Sequence, residues 1–539
     1  MSAVAERRAS RAAALMVIGG LLAIGLFLRL LVLGGALWGD ELSTNFVVNG
    51  FGVADFPWLL RNSKEATPPL FFVLTWVTKE FGGPEGLRLV SLLAGVAAIP
   101  LTYLLGLETV GRRAATVGAA LVALSPFQIF YATEARAYEL LMLTCLIASY
   151  ALVRALSSGR TSWWVGYGVA SAAAMYTHYA AVFVLAGLFA WAFIAHPEAR
   201  KPLIVANLAA ALVFVPWIPA FVDDTSEQAA KNIEAGFPVT LSNVVNSMIR
   251  MWFAGAITRF SELPGSLALT LIAISVAVGT AGLVLRAAGS REWRWPPAGV
   301  VLVIVLALAS PVGALLHNVV ALSIFTPRNL IASWPGFALT LGALVTAGPA
   351  LLRTASVALL ITGFSIGVVK LVEDSHRRPD LAGAASFIEA NGEPDSPVVD
   401  VPQFSPGPQM AMEAALAPDG DAAPPDRSVF ELGTPTLAER LAINRRGKSF
   451  DPSVPPVVPE QVALQAARTA GDGTIFVVVP AHAPLDQLRV GSSPLASFLS
   501  ALPTRFHEVD SRSFAGPSIA GLEFGAEVHV LSGNAGTER

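Results

Sequence analysis

Long apolar runs separated by short polar stretches dominate the first 372 residues. A helix needs about 20 such residues to cross a bilayer. On that measure spans fall at 12–34, 86–107, 113–131, 138–154, 162–177, 179–196, 202–221, 266–286, 297–317, 328–347 and 352–372. The run 68–82 is also apolar, but it is short and opens on Pro68 and Pro69, so it reads as an interfacial or re-entrant helix. About eleven crossings then take the chain from a cytoplasmic start to an external end, with two long external loops at 35–85 and 222–265. After Val372 the pattern changes, and Pro, Gly, Asp and Ala become frequent. A helix is predicted over 380–390, and 396–401, 473–480 and 526–531 read as buried strands. The stretch 403–460 has little periodicity and reads as a long loop or a partly disordered segment. The expected architecture is an α-helical polytopic membrane domain, 1–372, with juxtamembrane helices in its first external loop. A small external α/β domain, 373–539, completes it.

Composition agrees with the pattern. The chain of 539 residues is 54% hydrophobic and 14% charged, whereas soluble domains carry about 25% charge. Basic residues gather in the short loops assigned to the cytoplasm, among them Arg7, Arg8, Arg11, Arg112, Arg113, Arg200, Lys201 and Arg353, as the positive-inside rule requires. A net charge of −3 offers no basic excess for holding nucleic acid. The single cysteine, Cys145, rules out an intramolecular disulfide and a cysteine metal cluster. The first apolar stretch is too long, and lacks the small-residue site, for a cleaved signal peptide, so it reads as a retained anchor.

Candidate chemistry collects at the external ends of the spans. Asp40 and Glu41 come after the first span, where a pair of carboxylates at a membrane face is costly unless it is used. Read blandly, Asp40 caps the helix that Leu42, Phe46 and Val47 continue. Ser125 to Tyr138 contains Glu134 and Arg136, which two-residue spacing on a helix would turn to different sides. His178 sits in the run Tyr176, Thr177, His178, Tyr179, a composition that also suits an interfacial aromatic belt. Arg328 comes directly after Pro327 at the start of the tenth span. Polar groups brought to one level from distant positions describe a shared cleft better than scattered loops. Lys64, in the first external loop, is either solvated or in contact with a lipid phosphate.

The order of these residues resembles a known family. Trp38, Asp40 and Glu41 after span one, then Thr67-Pro68-Pro69-Leu70, Glu85 to Ser91 with Arg88, Gly111-Arg112-Arg113, and Tyr131 through Tyr138 look like the membrane glycosyltransferases of GT-C fold. The likeness is to the protein O-mannosyltransferase and aminoarabinose-transferase type, including bacterial family 39 proteins. His376 to Asp380 resembles the opening of their C-terminal external domain. The resemblance implies a polyprenyl-phosphate sugar donor used at the outer face of the plasma membrane. It implies Asp40 as the residue that activates the acceptor hydroxyl and Glu134 as a second acidic site. Thr67 stands where the family often has His, and Lys64 is only an approximate counterpart of a family lysine.

The expected function is therefore transfer of a hexosyl or pentosyl group from a polyprenyl-phosphate donor to a hydroxyl of a glycan, lipid or protein. Asp40, Glu41 and Glu134 are the candidate catalytic residues. Arg136, Tyr138, His178, Arg328, Lys64 and Arg88 are the candidate substrate-binding residues. A carboxylate is the natural general base for a sugar hydroxyl, and arginine suits a leaving phosphate. A divalent cation such as Mg or Mn could be held by Asp40, Glu41 or Glu134 through oxygen, although no ligand spacing compels it, and no other cofactor is expected. The competing reading is a transporter or lipid flippase, against which stand the absence of an internal repeat and of a broken helix pair at the midplane. The topology is tested by a cysteine in place of Ser396. An impermeant thiol reagent should label it on intact cells, and labelling only after lysis would reverse the orientation.

Overall fold

The computed structural model describes residues 3–50, 52–56, 67–224, 239–256, 260–289, 296–321, 323–373, 378–401, 411–417, 427–432, 458–480, 494–516, 518–519, 522–523 and 525–533. The chain divides into two compact units. The first comprises residues 1–33, 66–71 and 88–372, and the second 34–65, 72–87 and 373–539.

The first unit is helical. Among the described residues, eight helices are long and apolar enough to cross a membrane: Ala12–Leu30, Gly83–Thr109, Tyr138–Ser158, Pro197–Val222, Ser261–Ala288, Ala298–Val319, Pro327–Thr346 and Ala350–Leu371. The expected spans 113–131, 162–177 and 179–196 fall on shorter helices, Arg112–Leu124 with Pro126–Tyr131, Thr161–Thr177 and Ala181–Ala195. The first of these is not one continuous helix, because it breaks at Ser125, whose ψ of 122° is extended. The Ser125 hydroxyl accepts the Gln128 backbone N–H at 3.3 Å. Pro126 supplies no N–H and takes the first helical position, so the sequence itself starts a new helix there.

Between apolar helices in lipid, association depends on close packing and a few polar contacts. Glycines supply the closeness. A Cβ on Gly342 would lie 2.6 Å from the Ala114 carbonyl oxygen, and one on Gly282 would lie 2.9 Å from Gly348 Cα. Ser275 and Ser356 supply the polar contact, each hydroxyl donating to the other's backbone carbonyl at 2.7 Å.

Two ionisable residues sit close together inside this packing. Arg29 and Glu139 are both fully buried. Arg29 Nη1 donates to the Gly25 carbonyl at 2.9 Å and Nη2 to the Val122 carbonyl at 3.1 Å. Gly95 leaves the room between them, since a Cβ there would lie 3.3 Å from both Arg29 Nε and Glu139 Oε2. Neither residue is among those expected to act from the sequence.

The second unit has a five-stranded sheet of order β2-β1-β3-β7-β4, with β1 Val398–Asp400, β2 Val429–Glu431, β3 Thr474–Pro480, β4 His507–Phe514 and β7 Ala526–Ser532. A separate two-stranded pair, β5 Ser518–Ile519 and β6 Leu522–Glu523, is antiparallel. In the larger sheet β1 runs parallel to β2 and β3, and β7 antiparallel to β3 and β4. The three expected strands are β1, β3 and β7, and the expected helix is Leu381–Asn391. Alternation along β3 sends Phe476 and Val478 to one apolar core and Ile475, Val477 and Val479 to the other. Helix Leu381–Asn391 covers the first face, and helices Pro459–Ala470 and Pro494–Ala501 cover the second. Within 403–460, helix Ala411–Leu416 and β2 are regular, and the rest of that expected loop lies mainly outside the described residues. Ala36 packs into the same core as Leu381, with Trp38 against it, so residues just past the first span fold with the C-terminal part of the chain.

Two outcomes test this packing. Ser396 is only 3% exposed, so the labelling cysteine belongs at Asp472, whose side chain is 79% exposed. Arg29→Met should destabilise the protein by about 1–3 kcal/mol, because the Gly25 and Val122 carbonyls lose the guanidinium's hydrogen bonds, and Glu139→Gln should cost less, since neither Glu139 carboxyl oxygen has a hydrogen-bond partner among the described residues. Unfolding of both variants in bicelles measures the difference.

Candidate functional site

In the first unit, residues from three separate parts of the sequence meet. The first part is the link between helices Pro126–Tyr131 and Tyr138–Ser158. Residues 132–137 form turns, so the two-sided helical spacing considered for Glu134 and Arg136 does not apply. The Arg136 N–H donates to the Glu134 carbonyl at 2.7 Å, and the Ser91 hydroxyl donates to the Arg136 carbonyl at 2.9 Å. Arg136 Nη2 reaches Thr67 Oγ1 at 3.4 Å. Glu134 is partly buried.

The second part is His178, just past helix Thr161–Thr177. Its ring lies 5.9 Å from that of Tyr138, and Tyr138 in turn stacks edge-on to Tyr131 at 5.2 Å. The Ala180 N–H donates to His178 Nδ1 at 3.1 Å, which assigns the ring proton of the neutral imidazole to Nε2. Tyr176 and Tyr179, its neighbours in the sequence, turn to other packing. Tyr176 donates to the Val213 carbonyl at 2.9 Å and Tyr179 accepts from Trp217 Nε1 at 3.1 Å.

The third part is Arg328. Pro327 opens the 3-10 turn Pro327–Ser333, which leads into helix Trp334–Thr346. The Arg328 guanidinium stands 5.9 Å from the centre of the Tyr138 ring, within reach of a cation–π contact. Burial first, and then the positive charges of Arg136 and Arg328, push the His178 pKa down to about 3. Two guanidiniums and a neutral imidazole around a tyrosine make a site that favours an anion with several oxygens.

The other expected residues divide. Arg88 is fully buried, and its Nη1 donates to the Leu33 carbonyl at 2.7 Å, just past the first span. Lys64 lies outside the described residues. Asp40 and Glu41 belong to the second unit, at the start of helix Asp40–Gly50. Asp40 is partly exposed and Glu41 fully buried. Gly39, with φ +59°, takes the left-handed turn that glycine permits. The Trp38 N–H donates to Glu41 Oε2 at 3.3 Å, and Arg378 Nε is 3.5 Å from the same oxygen. Ser91 and Thr67 in the first unit, and Arg378 in the second, make these contacts without being expected as site residues from the sequence. Of these, Arg378 carries a usable signal, as a charged residue in the motif just before Pro379. Among the described residues no group of three or more His, Cys, Asp or Glu side chains is arranged to hold a metal ion.

The His178 environment has a measurable consequence. Below its ordinary pKa of 6.5 the unfolded chain takes up a proton that the folded protein refuses until about pH 3. The imidazole therefore contributes stability above pH 6.5 that is lost as pH falls through that window. His178→Gln should flatten the acid limb of a melting-temperature profile recorded in nanodiscs between pH 7 and pH 5.

Residues 66–220 match the family model for dolichyl-phosphate-mannose-protein mannosyltransferase. No curated protein sequence matches the chain. Among solved structures, ArnT from Cupriavidus metallidurans in the apo state superposes with a TM-score of 0.56 at 13% identity, covering 97% of this chain and 98% of that one. The same protein bound to undecaprenyl phosphate gives 0.54 at 13% identity, with the same coverage. The archaeal oligosaccharyltransferase AglB from Archaeoglobus fulgidus gives 0.49 at 13% identity, covering 87% and 70%. The chain thus has the GT-C fold, as a multi-pass membrane protein resembling ArnT and the protein O-mannosyltransferases.

Proposed function

We propose that the protein is a glycosyltransferase that moves a sugar from a polyprenyl-phosphate donor to an acceptor hydroxyl at the outer face of the cytoplasmic membrane. The observation that carries this reading is the approach of Arg136 and Arg328 to the His178 and Tyr138 pair in a GT-C membrane unit. Undecaprenyl phosphate bound to the ArnT relative supports the donor class, and the family-model match supports the reaction class. The positive-inside distribution of arginines supports the outer face.

The chemistry comes from the groups present. The acceptor oxygen forms a bond to the anomeric carbon as the bond from that carbon to the phosphate oxygen breaks. Asp40, partly exposed, takes the acceptor's proton as general base. Polyprenyl phosphate leaves with an added negative charge, which Arg136 and Arg328 stabilise more strongly than they do the ground state. A neutral His178 donates from Nε2 without needing to be protonated. Glu134 positions the acceptor. Keeping the lipid tail in the bilayer and the sugar at its edge lets the reacting groups meet water only on the acceptor side.

Activity is tested with full-length protein in nanodiscs and a panel of radiolabelled polyprenyl-phosphate mannose, arabinose, glucose and aminosugar donors. Transfer to membrane or cell-wall acceptors is expected from at least one of them, and none from any would end the proposal. Asp40→Asn should lower single-turnover transfer by about 10²–10⁴-fold while leaving binding of undecaprenyl phosphate intact. Glu41→Gln should cost less and Glu134→Gln an intermediate amount. Arg328→Lys should weaken lipid-phosphate binding, since the planar fork is lost while the charge remains.

A further inference from the structure

A carboxylate removed from water is destabilised unless charge and hydrogen bonds replace the solvent. Glu41 is fully buried, and its Oε2 has both replacements, the Trp38 N–H at 3.3 Å and Arg378 Nε at 3.5 Å. The Arg378 side chain is itself only 8% exposed. Residues just after Arg378 hold it in place. The Asp380 N–H donates to the Ala515 carbonyl at 2.9 Å, beside the end of β4. Asp380 Oδ1 accepts the Gly383 N–H at 2.9 Å, capping helix Leu381–Asn391. That helix lies in the core that also contains Ala36, with Trp38 packed against it. The segment 36–41 is therefore gripped twice by the C-terminal part of its own unit, through apolar contact at Ala36 and Trp38 and through the ion pair at Glu41. Asp40 stands between those two grips.

We infer that Arg378 is a positioning residue: through its ion pair with Glu41 it fixes the turn at residues 38–41 and so aims the Asp40 carboxylate at the acceptor hydroxyl. The inference rests on the reading of Asp40 as general base. A base must come within about 2.6–3.2 Å of the oxygen whose proton it takes, and a misplacement of about 1 Å can cost about 10²-fold in rate. Gly39 makes the turn possible but not rigid, because its backbone tolerates many conformations. The rigidity comes from the flanking contacts. An acid pair in which one member is buried and paired, and its neighbour partly exposed, divides the work between holding the loop and handling the proton.

The test is a double-mutant cycle on the full chain in nanodiscs with the parent, Arg378→Gln, Asp40→Asn and the double variant. The readouts are single-turnover transfer from whichever polyprenyl-phosphate sugar of the panel is accepted, and binding of undecaprenyl phosphate, each normalised to folded protein. Arg378→Gln should slow transfer about 10–100-fold with lipid-phosphate affinity within about twofold. Asp40→Asn should cost far less in the Arg378→Gln background than in the parent, because a misaimed base has little left to lose. Arg378→Lys, which keeps the charge, should restore part of the rate and show the same coupling, and it supplies the cycle if Arg378→Gln does not fold. Folded Arg378→Gln enzyme working at the parent rate overturns the inference, and so do two losses that simply multiply, the signature of a strut that only stabilises. Failure of the base assignment looks different: Asp40→Asn in the parent background stays within a few-fold, and both the base and its positioning residue are then withdrawn.

Discussion

Lipid offers no hydrogen bonds, so every polar group carried into the membrane unit has to find its partner in protein. Arg29 shows what that demands. Its guanidinium donates to carbonyls of its own helix and of helix Arg112–Leu124, and Gly95 leaves room between it and Glu139. Two helices are thereby tied together at one point. Glu139, buried nearby, comes immediately after Tyr138 in sequence, in the first turn of the helix that presents Tyr138 to His178 and Arg328.

Much of this is legible in the sequence because the bilayer makes crude signals decisive. Apolar run length locates the membrane helices, and short apolar runs find β1, β3 and β7, whose residues are buried on both faces. β4 escapes for the opposite reason. Its residues 507–513 are exposed, and the sequence His507-Glu508-Val509-Asp510 carries no apolar alternation to read. β2 is three residues long and below the length at which a pattern exists. The break at Ser125 is written in plain capping chemistry, Ser before Pro, but the apolar composition on either side masks it.

The site is legible in its members more than in its arrangement. Arg136, His178 and Arg328 stand out by their places at span ends, and they do act on one another. Their geometry depends on turns such as 132–137, where backbone hydrogen bonds set direction and residue spacing says nothing. Arg88 shows the limit of charge as a signal. In the sequence, an arginine at a span end looks the same whether or not it meets a backbone carbonyl such as that of Leu33. Arg29 and Glu139 are found in the sequence only by asking which charges lie inside apolar helices.

The pairing of Glu41 with Arg378 also has a meaning in time. The two residues are separated by nearly the whole membrane unit in the sequence, and a ribosome adding roughly 5–20 residues per second needs tens of seconds to pass from one to the other. During that interval the segment that carries Asp40 has neither its counter-charge nor the core into which Ala36 and Trp38 pack. A chain interrupted anywhere before the C-terminal part can insert its helices and still lack an ordered acidic turn. Order at the acidic turn thereby waits on completion of synthesis, and a truncated product left in the membrane lacks it.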